Sequence, residues 1–268
     1  MATRLSSALA GVFGIVTASL SACAQTTKPV LALATTTSVA NSGLLDVLVH
    51  EFHRQHGTLV RPYLVGSGRA LAMLAAGQVD VVISHAPAAE ARAIEQHRQW
   101  FYAKVMFNDF LIVGPAIDPA DVKTARSPEE AFRRIARADT RFVSRGDESG
   151  THEREQLLWG LAGISPERAR VKVAGQGMGA TLRIADQVNA YTLVDRATYT
   201  QLEGSVSLVP LFQGGPQLLN TYSVIRSDTS PEADTFVRWL TGGGGREAIE
   251  NYRVRGVPVF TPWPRDRG

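Results

Sequence analysis

Residues 144–152 read Ser-Arg-Gly-Asp-Glu-Ser-Gly-Thr-His and combine the groups that hold a small oxyanion. Arg145 brings a permanently charged guanidinium fork, which suits oxyanions better than a lysine would. Ser149 and Thr151 bring hydroxyl donors. The segment follows a strand-like run at 141–143. It opens a helix-like run at 153–161, with Leu157, Leu158 and Leu161 on one side. A strand that turns through Gly146 and Gly150 into a helix leaves unpaired N–H groups at the helix start. Those donors and the helix dipole favour an anion, so Gly150 counts with the side chains. Taken singly, Asp147, Ser149 or Thr151 reads as a helix cap, and Arg145 as the surface partner of Asp147. Their combination at one strand-to-helix turn is what points to an oxyanion pocket.

A second cluster of donors lies far off in sequence. Thr35-Thr36-Thr37-Ser38 follows a buried strand at 30–34, and Val65-Gly66-Ser67-Gly68 follows a second at 59–65. Ser67 then stands at the start of a helix over 69–76, where it would also make a good cap. In a parallel sheet both segments fall at carboxyl ends of strands, where ligands gather. Four hydroxyls in a row are poor use of a buried strand end unless they donate to something.

Other chemistries find less support. Ser149, His152 and Asp147 invite comparison with a serine hydrolase, but Gly146-Asp-Glu-Ser149-Gly150 does not match the nucleophile elbow, and residues three apart at one helix start rarely converge as a triad. His50, His53 and His56 step along one helix with no cysteine or second histidine cluster to complete a metal site, and read as a solvated face. His85 and His152 lie near the proposed pocket, as packing or helix-start residues or as groups that tune ligand charge. Gly175-Gln-Gly-Met-Gly179 lacks the dinucleotide spacing; Gly242 to Gly245 lacks the lysine and hydroxyl of a phosphate loop and reads as a flexible turn. No enzyme activity, resident metal or cofactor is therefore expected.

The elements that must position these groups alternate between strand and helix. Strands are expected at 30–34, 59–65, 79–83, 108–114, 141–143, 190–194, 207–212 and 217–225. Helices are expected at 43–56, 69–76, 88–97, 128–137, 153–161, 177–188, 231–240 and 246–252, with Trp159 and Trp239 in cores. This order implies an α/β fold with parallel crossovers. The boundaries drawn are lobe 1 at 29–110 plus 220–268 and lobe 2 at 111–219, joined by strands that cross twice into a hinged clam with a cleft between the lobes.

The chain has 268 residues, 44% hydrophobic and 20% charged, an ordinary globular composition long enough for two lobes. The net charge of +3 comes without any dense Lys/Arg tract, so nucleic acid is not implied. Residues 1–24 read as an export leader: Arg4 is the sole charge ahead of an apolar run at 5–20. Leu20-Ser-Ala-Cys23 resembles a lipoprotein box, which would acylate Cys23, while Ala22-Cys-Ala24 is also an Ala-x-Ala cleavage site. Both readings place the mature protein outside the cytoplasmic membrane, in the periplasm. Cys23 is the single cysteine, so no disulfide forms within the chain.

Several segments together resemble the tungstate-binding receptors of ABC-type importers, the TupA family. They are Ala34-Thr-Thr-Thr-Ser38, Val65-Gly-Ser-Gly68, Val79-Asp-Val-Val-Ile-Ser-His-Ala-Pro87, Asn108-Asp-Phe-Leu-Ile-Val-Gly-Pro115, Ser144-Arg-Gly-Asp-Glu-Ser-Gly-Thr-His152 and Ala190-Tyr-Thr-Leu-Val-Asp195. The resemblance implies a type II periplasmic-binding fold with the anion held between lobes. It implies Thr36, Thr37, Ser38 and Ser67 as ligands from one lobe, and Arg145, Ser149, Gly150 and Thr151 from the other. It also implies a membrane permease and an ATPase as partners, and a monomer is expected. Phosphate receptors share the Arg-x-Asp-x-Ser-Gly-Thr pattern but supply an aspartate acceptor after the third strand, where this chain has Ser84-His85. A donor-only cavity suits an oxyanion that carries no proton. Tungstate over molybdate rests on the resemblance alone; Asp147 is expected to hold Arg145 rather than the ligand.

Overall fold

A computed structural model describes residues 29–227 and 230–264. The leader and Cys23 lie outside the described residues. The chain opens with β1 (Val30–Thr35), the short helix α1 (Thr37–Asn41) and α2 (Leu44–His56). There follow β2 (Leu59–Leu64), α3 (Ser67–Ala75), β3 (Val81–Ser84) and α4 (Pro87–Gln96). β1 lies between β2 and β3 and is parallel to both, as the alternating pattern predicts. The helix expected at 43–56 is α2, whose N-cap Gly43 takes a left-handed conformation (φ 81°); the short helix α1 ahead of it is not among the expected elements. Thr37 and Ser38 therefore sit inside a one-turn helix, with Thr36 at its N-cap position.

The next strand, β4 (Phe101–Gly114), is twice the length expected. After it come α5 (Pro128–Arg137), β5 (Arg141–Ser144), α6 (Gly150–Ala162), β6 (Arg170–Val173), α7 (Met178–Gln187), β7 (Thr192–Asp195), α8 (Arg196–Leu202) and β8 (Val209–Gln213). The chain returns through β9 (Leu219–Arg226) to α9 (Pro231–Gly242) and α10 (Gly244–Asn251), and ends in the short strands β10 (Arg253–Val254), β11 (Val257–Pro258) and β12 (Thr261–Pro262). The turn expected over 242–245 is mostly helix. α10 starts at Gly244, and Gly245 is where it packs on α9: a Cβ there would lie 2.7 Å from the Trp239 ring.

β4 joins two regions. Its first part, Phe101 to Asp109, pairs antiparallel with β9, which pairs in turn with β3. Its last part, Phe110 to Gly114, pairs with β7 and β8. Apolar side chains collect on both faces of each region. Leu31, Leu33, Leu48, Phe52, Phe236 and Trp239 form one buried cluster beneath α2, α9 and α10, and Ala70, Leu71, Leu74 and Val82 another beneath α3. Around the far half of β4, Phe132, Phe142, Leu158 and Trp159 pack with α5 and α6, while Met178, Leu182, Val194 and Tyr199 pack with α7 and α8. Each such side chain contributes roughly 1.5–3 kcal/mol on burial. α5 carries its own start and stop signals: Ser127 accepts from the Glu130 N–H, Pro128 opens the helix and Arg134 and Arg137 close it.

Candidate anion-binding site

The two donor clusters meet. Arg145 follows β5 and is almost completely buried, 2% exposed. Its Nη1 donates to Ser38 Oγ and to Thr151 Oγ1, both at 3.4 Å, and its Nη2 donates to Thr37 Oγ1 at 3.3 Å. The contacts with Ser38 and Thr37 cross from the loop after β5 to the helix after β1, more than a hundred residues away. A hydroxyl that accepts from a guanidinium keeps its own proton to donate elsewhere. Nε of Arg145 and Oγ1 of Thr36 are buried with no partner among the described residues. Buried donors left unpaired are costly, which marks them as waiting for an acceptor.

Asp147 is the countercharge. Its Oδ2 accepts from Arg145 Nη2 at 2.8 Å and its Oδ1 from the Ser149 N–H at 3.2 Å, so it holds the arginine and shapes the loop. Gly146 (φ 60°) and Glu148 (φ 56°) turn the backbone left-handed on either side of it. Ser149 caps α6, accepting from the His152 N–H at 3.3 Å. The His152 ring instead faces the Glu148 N–H and Gln156, at 3.2 and 3.0 Å. It serves the local turn and does not approach the Ser149 hydroxyl, which removes the geometric basis for a hydrolase triad.

The start of α6 abuts the end of β3. A Cβ on Gly150 would fall 2.0 Å from the His85 carbonyl oxygen and 2.6 Å from His85 Nδ1, so only glycine allows this approach. Gly177, before α7, lies against Thr37 at ordinary contact distance: a Cβ there would sit 3.4 Å from Thr37 Oγ1. Ser67, fully buried, accepts from the His85 N–H at 3.4 Å. The structure thus brings Thr37, Ser38, Arg145 and Thr151 around one point, with Thr36 at the N-cap of the same short helix as Thr37 and Ser38. Ser67, Ser149 and Gly150 join through His85 and the α6 cap.

Two buried ionisable groups stand behind these residues. Glu155 is wholly buried; it accepts from the Ser144 hydroxyl and from the Arg145 N–H at 3.1 Å. Burial pushes its carboxyl up to about 8, so it is mainly protonated at neutral pH and adds little negative charge behind the pocket. Sequence reasoning missed it, although it lies four residues beyond Thr151 on the same helix face. His85 goes the other way: burial first, then the Arg145 charge, lowers it to about 4, so the ring is neutral. Its Nδ1 lies 3.1 Å from Asn220 Oδ1. The Asn220 amide in turn donates to Asn108 Oδ1 at 2.8 Å and to the Tyr222 hydroxyl at 2.9 Å. Asn108 and Asn220 face each other on β4 and β9, so His85 ties the pocket floor to the pair of long strands.

Leu157 and Leu161 are about half exposed and only Leu158 of the three leucines is buried; the inner face of α6 is Thr151, Glu155, Leu158, Trp159 and Ala162. Among the described residues no cluster of His, Cys, Asp or Glu could hold a metal ion. No described helix is long and apolar enough to cross a membrane.

Comparison with known proteins gives this arrangement its relatives. Residues 20–243 match the model of the PBP superfamily domain, PBP_like_2. The chain is 37% identical over 247 residues to the tungstate-binding protein TupA of Peptoclostridium acidaminophilum, covering 88% of this chain and 86% of that one. It superposes on the tungstate-binding protein TupA of Desulfovibrio alaskensis G20 with a TM-score of 0.76 and 39% identity, over 88% of this chain and 100% of that one. The structure of the tungstate ABC transporter from Geobacter sulfurreducens gives a TM-score of 0.75 and 38% identity, over 83% and 98% of the two chains. With an α/β fold, donors from two distant segments closing on one point and this degree of likeness over most of its length, the chain belongs to the PBP superfamily and, within it, to the TupA-like solute-binding proteins.

Proposed function

We propose that this protein is an extracytoplasmic receptor for a tetrahedral oxyanion dianion, tungstate before molybdate or phosphate, that feeds an ABC importer. The observation that carries the reading is the buried Arg145, its Nε unpaired and its fork bonded to hydroxyls from both segments, with the Thr36 hydroxyl, one residue before Thr37, buried and unpaired as well. A dianion between them would accept from Arg145, from Thr36, Thr37, Ser38, Ser67 and Thr151, and from the backbone at Ser149 and Gly150. In a site shielded from water each such bond is strengthened. The groups nearest the arginine fork are donors, apart from Asp147, which the arginine itself occupies. That favours an anion without a proton to place, such as tungstate or molybdate, over hydrogen phosphate.

In this reading lobe 1 (29–110 with 220–268) and lobe 2 (111–219) close over the dianion, and the closed monomer docks on the permease and its ATPase. The leader at 1–24 exports the chain, with Cys23 acylated or removed on cleavage; mass spectrometry of the mature N-terminus decides between these. Competition calorimetry with tungstate, molybdate, sulfate and phosphate tests the ligand. Submicromolar heat from tungstate with none from phosphate is expected, and binding of phosphate alone would transfer the reading to a phosphate receptor.

A further inference from the structure

α4 and α6 belong to different packing clusters, yet they touch at their N-termini. α4 packs through Ala89, Ala93 and Ile94 on the cluster around β1 and β3; α6 packs through Leu158 and Trp159 on the cluster around α5. At the start of α4 the Ala86 N–H is taken by Oε1 of Glu90 at 3.0 Å, but the N-cap residue itself offers no capping side chain. Ala86 stands at its N-cap position with no side-chain bond, and Pro87 has no N–H to offer. The next donor, the Ala88 N–H, is taken at 2.9 Å by Oε1 of Glu153, in the first turn of α6. Glu153 thus supplies a cap for the Ala88 N–H of α4 from a helix of the other packing cluster, two residues beyond Thr151.

We propose that Glu153 is the closure latch of this receptor, a positioning residue that holds the lobes together through the α4 N-terminus without touching the ligand. The proposal rests on the solute-receptor reading. A carboxylate near a dianion pocket would by charge alone repel the ligand, so neutralising it should tighten binding. A latch has the opposite sign: losing the carboxylate frees the α4 N-terminus, favours the open form and speeds ligand release. Association, which starts from the open form, is little affected.

The test compares Glu153→Ala and Glu153→Gln with the parent by stopped-flow tungstate binding and by the interlobe distance in ligand-free protein. For the distance, nitroxide labels are placed at Arg61→Cys and Arg137→Cys, with Cys23→Ser. Glu153→Ala should release tungstate about three- to tenfold faster, the scale of one lost helix cap. It should also lower the closed fraction in the absence of ligand. Glu153→Gln keeps an oxygen that can accept from the Ala88 N–H and should fall between the two. Unchanged or tighter binding by Glu153→Ala, an unchanged distance distribution, or equal loss in both variants would overturn the latch. If the parent binds no tungstate, the ligand reading fails while the ligand-free distances still judge the latch.

Discussion

The two sides of the site are built from different chemistry. The side formed after β1 and β2 offers only hydroxyls: Thr36, Thr37, Ser38 and Ser67, none of them charged. The side formed after β5 carries Arg145, the sole cation among the described residues that touches the hydroxyls of both sides, together with the α6 N-terminus and the capping Ser149. The hydroxyl side alone has no charge to attract a dianion. The arginine side alone has its fork already held by Asp147 at 2.8 Å. In the proposed reading an anion is bound well only when both sides contribute, which would make binding and closure one event.

Removing the charge should break this balance most severely. Arg145→Ala leaves a buried dianion with no formal partner and should cost about 3–5 kcal/mol of binding, a loss of a hundredfold or more in Kd by calorimetry. Next comes the approach of the two sides. Gly150→Ala sets a Cβ against the His85 carbonyl, backbone that cannot swing away. It should cost about 1–3 kcal/mol of closure, seen as weaker binding and a larger radius of gyration in the presence of tungstate. On the hydroxyl side, Ser67→Ala removes one donor to a charged ligand and should cost about 1.5–3 kcal/mol, without altering the on-rate. A Ser67→Ala loss equal to that of Arg145→Ala would contradict the division of labour between the sides.

The smallest effect sharpens the comparison through pH. Glu155 ionises at about 8 in the folded protein against an ordinary 4.5, so the folded chain keeps a proton that the unfolded chain has released. Its contribution is whole below 4.5 and is lost as pH rises towards 8. His85, at about 4 against 6.5, acts in the opposite sense: the unfolded chain gains the proton first, and stability falls as pH drops from 6.5 to 4. The two oppose each other between 4.5 and 6.5, and from 6.5 to 8 Glu155 acts without His85. Thermal melts from pH 6.5 to 8 should show the midpoint of the parent declining and that of Glu155→Gln nearly flat.

Much of the site was legible because its residues are local signals. The arginine, the two glycines and the cap of residues 144–152 announce a strand-to-helix turn by their types, and the structure has that turn between β5 and α6. The bounds of α5 follow from Ser127, Pro128 and the basic last turn. What escaped was set by tertiary context. The inner face of α6 carries Thr151 and Glu155 at the site end, so the leucines do not mark it: Leu158 faces in while Leu157 and Leu161 face out. Glu155 reads as a surface acid until the Ser144 hydroxyl and Arg145 N–H are seen to meet it. α8 directly follows β7 with Asp195 as its cap, accepting from the Thr198 N–H at 2.9 Å, and no glycine or proline marks the change. The glycines near 244 read as a loop, but Gly244 and Gly245 are there to let α10 lie against Trp239.

The claim on which the rest stands is that one anion is shared by the hydroxyls after β1 and the guanidinium after β5. A tungsten-edge anomalous difference map from crystals grown with tungstate tests it most directly. The account predicts a single strong peak within hydrogen-bonding reach of both Thr36 Oγ1 and Arg145 Nε. A peak held by one side only, or placed elsewhere on the molecule, would contradict it.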